Sequence, residues 1–177
     1  MLTNMYDVLR SPKSAFQRIV KEENLWKSLD VQVIVFFING LVNKSGTDSP
    51  LWLSCVSALI ASLVAVVICA ISAGLTHGIA RLMGGCGTWK KQFITLGYSV
   101  LPQLIFVPLQ VIALWMDMTE AVTILAIIAS VWCIVLGVRA ISITQQISTI
   151  KAVVVLFAPS IIVGVIGAAI VLSTLGI

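Results

Sequence analysis

Long apolar runs alternate with short polar joints along this chain, and five such runs can be marked. The first covers about 25–42, around the core VQVIVFFINGLV, and the second, about 51–80, carries WLSCVSALIASLVAVVICAISAGL without a charge. The third spans about 93–115, the fourth about 121–138 and the fifth about 152–175. A helix crossing ~30 Å of hydrocarbon needs roughly 17–25 residues, which these runs supply, the first one barely. Each is expected to be helical, because an isolated strand in lipid would leave its backbone hydrogen bonds unmade. A signal peptide is the rival reading of the first run. The charged stretch before that run is long, however, and NGLVNKSGTDS lacks an A-x-A-like cleavage site, so the run is kept as a span.

Residues 1–24 read differently. Ser11 and Pro12 have the types found at the N-cap and first position of a helix. Beyond them Ala15, Phe16, Ile19 and Val20 share one helical face while Lys13, Gln17, Arg18 and Lys21 occupy others. The expectation is a short amphipathic helix lying in the interface on anionic lipid. The alternative is a cytosolic helix packed on the bundle.

Composition sets the class. The chain is 59% hydrophobic and 10% charged with mean hydropathy +1.10, against about 45–50% and 25% in soluble domains. Its 177 residues suffice for five spans and leave no length for a separate soluble catalytic domain. Lys and Arg near span ends stay on the cytoplasmic side. Arg10, Lys13, Arg18, Lys21 and Lys27 lie before or at the very start of the first span, Arg81, Lys90 and Lys91 follow the second, and Arg139 and Lys151 follow the fourth. Those are ten of the eleven basic residues. Lys44, accompanied by Asp48, is left in an opposite loop, and the other opposite turn, WMDMTE, has Asp117 and Glu120 without a cation. The expected fold is therefore all-α: a polytopic five-transmembrane-helix bundle over 25–177, N-terminus cytoplasmic and C-terminus outside.

Candidate chemistry is sparse. Cys55, Cys69, Cys86 and Cys133 form no C-x-x-C pair, and three lie in apolar runs where thiols behave as small hydrophobes. His77 has no second histidine or carboxylate near it in sequence, so neither a metal nor a cofactor is expected. The carboxylates are scattered over loops on both sides and no nucleophile has an evident partner, so no enzyme is expected either. Nor is a nucleic-acid partner.

The stretch HGIARLMGGCGTWKKQF is the densest in polar chemistry. Its glycines fit neither G-x-x-x-x-G-K-[ST] nor G-x-G-x-x-G, and no strand precedes them, so a phosphate cradle is disfavoured. Gly84, Gly85 and Gly87 suit a tight turn back into the membrane. Trp89 would sit at headgroup level, with Arg81, Lys90 and Lys91 meeting anionic lipid. With Arg18 and Lys21, these are the candidate contacts for lipid or for a cytoplasmic protein partner.

RLMGGCGTWKKQFITLGYSVLP resembles the central signature of the Yip family of Ypt/Rab-interacting membrane proteins, a glycine-rich loop leading into G-Y-x-x-x-P. Here those positions are Gly84, Gly85, Gly87, Gly97, Tyr98 and Pro102. VLRSPKSAFQRIV is similar to the S-P-x-x-x-F start of prokaryotic members, and VWCIVLGVRAISITQQISTIKAVVV, through Trp132, Leu136, Lys151 and Ala152, to a stretch near their end. The likeness runs from about Val8 to Pro159. It implies a five-span helical domain with a cytoplasmic N-terminus. Eukaryotic members are membrane-trafficking factors that engage small GTPases. This sequence shows no long soluble region before its first span and no D-L-Y-G-P motif, so the likeness is to bacterial or archaeal members of the plasma or inner membrane.

Two further patterns bear on function. Small residues recur at Ala70, Gly74 and Gly78 and at Ser160, Gly164 and Ala168, spacings that allow close helix packing within the chain or in a homo-oligomer. The third span carries Pro102 and Pro108, and its Ser99, Gln103 and Gln110 fall within about 40° of one another. That polar stripe could line a solute path or bond neighbouring helices. No Asp, Glu, Lys or Arg lies within spans two to five, where ion-coupled transporters place ionisable groups. The reading is a non-enzymatic membrane scaffold or adaptor with a basic cytoplasmic face; the alternative is a facilitator for a small neutral solute.

Overall fold

The computed structural model describes residues 2–44 and 50–174, with side-chain surroundings given for 6–43, 50–161 and 164. Within them the chain forms α1 (Leu2–Arg10), α2 (Pro12–Glu22), α3 (Leu25–Lys44), α4 (Leu51–Leu82), α5 (Trp89–Ser99), α6 (Leu101–Trp115), α7 (Thr119–Gln145) and α8 (Thr149–Thr174), and no strand. Four stretches are long and apolar enough to cross a membrane: Leu25–Asn43, Leu51–Leu82, Trp89–Trp115 and Thr119–Gln145. The described apolar part of α8, Thr149–Ile161, is shorter, and the side chains of most of the expected fifth span lie outside the described residues.

α4 shows what the apolar runs are for. Leu59, Ile60, Leu63, Val64, Val67, Ile68 and Ile71 stand exposed along it, a greasy surface of the kind a membrane-spanning helix turns to lipid. Its buried side chains are small. Ala58 and Ser62 lie one turn apart, and Gly40 of α3 comes so close that an added methyl would stand 3.1 Å from the Ala58 Cβ. The small-residue seam of α4 is thus formed by Ala58 and Ser62. On the expected stripe, Gly78 has open space where a side chain would be, and so does Gly164 on α8. Ala168 lies outside the residues whose surroundings are described.

The expected third span is two helices. Pro102 has no N–H for the Tyr98 carbonyl, so the hydrogen-bond ladder breaks there: α5 stops at Ser99 and α6 begins at Leu101, with Pro102 in its first turn. The fourth run, expected to end near Val138, continues as α7 to Gln145, carrying Arg139 with it. Hydropathy marks where a helix leaves hydrocarbon and is silent on where its hydrogen bonds stop.

The N-terminal segment corrects a further expectation. Pro12 does open a helix, but Ser11 places no side-chain cap on it; its N–H instead donates to the Asp7 carbonyl at 2.7 Å, joining α2 to α1. The apolar face of α2 meets protein. Ala15, Phe16 and Ile19, with Val8 of α1, are buried among Val31 and Val35 of α3, Ile94 and Tyr98 of α5, Leu101 of α6, and Leu136 and Ala140 of α7. Phe16 is fully buried there, a removal from water worth about 1.5–3 kcal/mol, and it is protein that supplies the cover. Packing on the bundle, the alternative use of that face, is what the chain adopts. A second cluster, Ala80, Val138, Ile141, Ile147, Ala152 and Val155, joins α4, α7 and α8.

Candidate functional site at the basic end of the bundle

The glycine-rich turn between α4 and α5 is held down by one side chain from α7. After α4, Gly84 takes φ +90°, a left-handed conformation that glycine adopts without strain. The Gly85 N–H then returns to the Ala80 carbonyl at 2.8 Å. The Cys86 N–H donates to the Gln145 carbonyl at 3.0 Å, and the Gly87 N–H to Gln145 Oε1, also at 3.0 Å. A methyl at Gly85 would stand 2.8 Å from Gln145 Oε1, and one at Gly87 would overlap the Thr144 carbonyl. Thr88 caps α5, its Oγ1 accepting from the Lys91 N–H. The turn is spaced to receive Gln145.

Behind it lies a neutral polar network. Gln145 Nε2 donates to Gln92 Oε1 and lies 2.9 Å from His77 Nδ1, while Gln92 Nε2 donates to Thr76 Oγ1 at 2.5 Å. Beside it the hydroxyls of Thr95 and Thr144 are 2.9 Å apart. On the far side of α5, Ser28 Oγ donates to the Ile94 carbonyl at 3.0 Å and Gln32 Nε2 to Ser28 Oγ at 3.3 Å. Gly97 faces that pair, and a methyl there would overlap both Ser28 and Gln32. Gln32, Gln92, Thr95 and Gln145 are fully buried. Carboxamides and hydroxyls bonded to one another across helices lock those helices together, with the His77 imidazole at the edge of the network and Gln32 Oε1 left without a partner among the described residues. Among the described residues no three His, Cys, Asp or Glu side chains gather as metal ligands would.

The expected contact residues divide into bonded and free. Arg18 pairs with Asp7 at 2.5 Å and Lys91 with Glu23 at 2.7 Å, and the Arg81 guanidinium reaches the Gly85 carbonyl at 3.4 Å. The hydrogen bond from Lys91 is the main cause holding the Glu23 carboxyl below its ordinary pKa. Lys21 and Lys90 are exposed, and among the described residues neither forms an ion pair. Lys21 borders a hollow of about 520 Å³ between α2 and α7, lined also by Gln17, Ser142 and Gln146. Next to it a second hollow, about 450 Å³, is edged by Lys13 and Arg139. Trp89 is half-exposed; it stacks on Phe93 with centroids 5.7 Å apart and donates from Nε1 to the Ala70 carbonyl at 3.2 Å. The Gly74 backbone lies below the indole, which is how this member of the small-residue stripe is used. Lys151 bonds the Met83 carbonyl at 3.0 Å, so the ends of α2, α4 and α7 and the starts of α5 and α8 share one end of the molecule.

The proposed solute stripe is divided. Ser99 is buried with its hydroxyl on the Leu96 carbonyl at 2.6 Å, while Gln103 and Gln110 line a separate cleft toward the other end. Sequence reasoning missed Gln92, Thr76, Thr144 and Gln145. For Gln92 the signal was a glutamine at the margin of an apolar run, a position where a solvated polar residue looks the same.

A family model described as the Yip1 domain matches residues 6–171, from α1 into α8 and through the whole glycine turn. No curated protein and no solved structure matches the chain. The match covers nearly all of the sequence and includes every residue of the network above. This chain is a multi-pass membrane protein that belongs to the Yip family.

Proposed function

We propose that the protein is a non-enzymatic scaffold of the cell membrane, a prokaryotic-type family member whose five spans place the N-terminus in the cytoplasm and the C-terminus outside. In this reading the cytoplasmic end binds anionic lipid headgroups, or the acidic surface of a protein partner, through its basic side chains. One observation carries the reading. Lys13, Lys21 and Arg139 stay exposed around two hollows at the end where Gln145 fixes the turn, and Lys90 is exposed at the start of α5, while other cations are taken up by Asp7, Glu22 and Glu23. Exposed cations beside a bilayer attract anionic headgroups at about 1 kcal/mol each. The neutral, mutually bonded interior supports a structural role over a catalytic one.

The test is native mass spectrometry from micelles containing phosphatidylglycerol and phosphatidylcholine at low salt. Neutralising Lys13, Lys21, Lys90 and Arg139 together should strip retained phosphatidylglycerol, while neutralising the ion-paired Arg18 and Lys91 should remove less. Equal retention in all three proteins would defeat the lipid reading. Crosslinking in native membranes then reads the protein partner and any self-association across the open Gly78 and Gly164 faces.

A further inference from the structure

At the end opposite the basic turn, Asn39 and Asn43 of α3, Gln103 and Gln110 of α6 and Ser130 of α7 border a cleft of about 250 Å³, with Ala126 and Ala129 at its wall. Asn43 sits at the last turn of α3. Gln103 lies twelve residues before the end of α6, about 18 Å along the helix at 1.5 Å per residue, and Ser130 eleven residues past the start of α7, about 16 Å. Half of a hydrocarbon core is about 15 Å, so the cleft runs from the helix ends to near the bilayer midplane. Polar groups at that depth need partners, because lipid offers none. Asn39 donates to the Val35 carbonyl and Ser130 to the Ala126 carbonyl, each within its own helix. Among the described residues the Gln103 and Gln110 carboxamides have no partner, and each is only partly exposed. Two free carboxamides on one face of a helix hold four N–H donors and two carbonyl acceptors facing a cleft with no charged side chain among its described lining residues.

We propose that this cleft binds a neutral polyhydroxyl group, either a free polyol or the sugar headgroup of a glycolipid. A carboxamide meets a pair of hydroxyls with one donor and one acceptor, and hydroxyls both give and accept, so vicinal diols complement the cleft where an ion would find no counter-charge. The volume equals about eight waters at ~30 Å³ each, room for one sugar ring. The site is separate from the basic end, so its failure would leave the lipid-scaffold reading untouched, and the reverse.

The experiment uses full-length protein in nanodiscs with Cys55, Cys69, Cys86 and Cys133 replaced by alanine and Ser130→Cys introduced. A hydrophilic maleimide should label position 130, showing that the cleft is wet. Saturating myo-inositol or glucose, or glucosyl-diacylglycerol built into the disc, should slow labelling at least tenfold. Gln110→Leu, at a partly exposed position, and Gln103→Leu/Gln110→Leu should each remove that protection while the thermal midpoint stays within a few degrees. Protection by free sugar assigns a soluble source; protection by the glycolipid alone assigns a lipid-borne one. Absence of labelling, absence of protection by all three probes, or protection that survives both glutamine variants overturns the proposal.

Discussion

Gln145→Leu is the sharpest test of how the basic end is held together. Leucine nearly matches the volume of glutamine and favours helix, so the change removes polarity while leaving packing and backbone largely in place. Three side-chain interactions go: the bond from the Gly87 N–H at 3.0 Å, the contact with His77 at 2.9 Å and the bond to Gln92 Oε1. At about 0.6 kcal/mol each, the mean for such bonds in membrane proteins, they sum to about 2 kcal/mol. Gln92 is fully buried and its Oε1 loses the partner that Gln145 supplied, which adds roughly 1–3 kcal/mol for a stranded acceptor. The expected destabilisation is therefore about 3–5 kcal/mol. Reversible unfolding in mixed micelles would measure it, with amide exchange at Gly87 reporting the turn directly.

A double-mutant cycle separates this account from a generic loss of polarity. Gln92→Leu should itself cost about 2–4 kcal/mol, because one N–H of the buried Gln145 carboxamide loses its acceptor while the other keeps His77, and the Thr76 hydroxyl loses the donor it accepts from. Gln92→Leu/Gln145→Leu strands far less, so the pair should fall short of additivity by at least 1 kcal/mol. A single-mutant cost under 1 kcal/mol, or additivity within about 0.5 kcal/mol, would refute the reasoning that Gln145 is the keystone of the turn.

Gly97→Ala should lower stability by about 1–3 kcal/mol through overlap with Ser28 and Gln32, whereas Gly78→Ala, with open space beside it, should stay within about 0.5 kcal/mol in the same unfolding assay. Trp89→Phe keeps the stack on Phe93 and deletes the bond to the Ala70 carbonyl, an expected loss of about 0.5–1 kcal/mol; an unchanged midpoint would show that the indole N–H contributes nothing. The Glu23 carboxyl is held below its ordinary pKa by Lys91, so its contribution to stability is present above the unfolded-state pKa and fades as pH falls through the folded one. Carboxyl carbon NMR should see Glu23 titrate at lower pH in the natural protein than in Lys91→Met.

Four of the expected spans were legible because hydrophobicity is a property of each residue where it stands. The break between α5 and α6 was nearly so: Pro102 announced a kink, and its missing N–H places the join at Val100. The reach of α7 was not. Past Val138 the residues turn mixed, Arg139, Ser142, Thr144, Gln145, and a mixed stretch after an apolar run reads equally as a loop or as a helix with a buried polar face. Only the turn from α4, arriving with glycines too close to carry side chains, tells which. Likewise Ser99, Gln103 and Gln110 lay on one stripe by angle, but the break after Ser99 turns the first away from the other two.

The face of α2 shows the deeper reason. An amphipathic pattern states that one side avoids water and says nothing about whether lipid or protein covers it. The deciding surface came from elsewhere in the chain. Phe16 of the S-P-x-x-x-F stretch, Tyr98 of G-Y-x-x-x-P and Leu136 of the late tryptophan stretch, three motifs separated by many residues, are buried in one cluster. Gln145, in the same late stretch, bonds Gly87 of the central one. Read singly, each motif is a few residues of weak pattern. Joined, they are opposite sides of the same contacts, with the proline break setting α5 where Tyr98 can meet Phe16 and the glycines letting the turn close on Gln145. Exchanging Phe16 for a polar residue should therefore loosen the packing of α5 and α7 as well as that of α2, which amide exchange along those helices would register. A helix that merely rested on lipid would leave α5 and α7 unchanged.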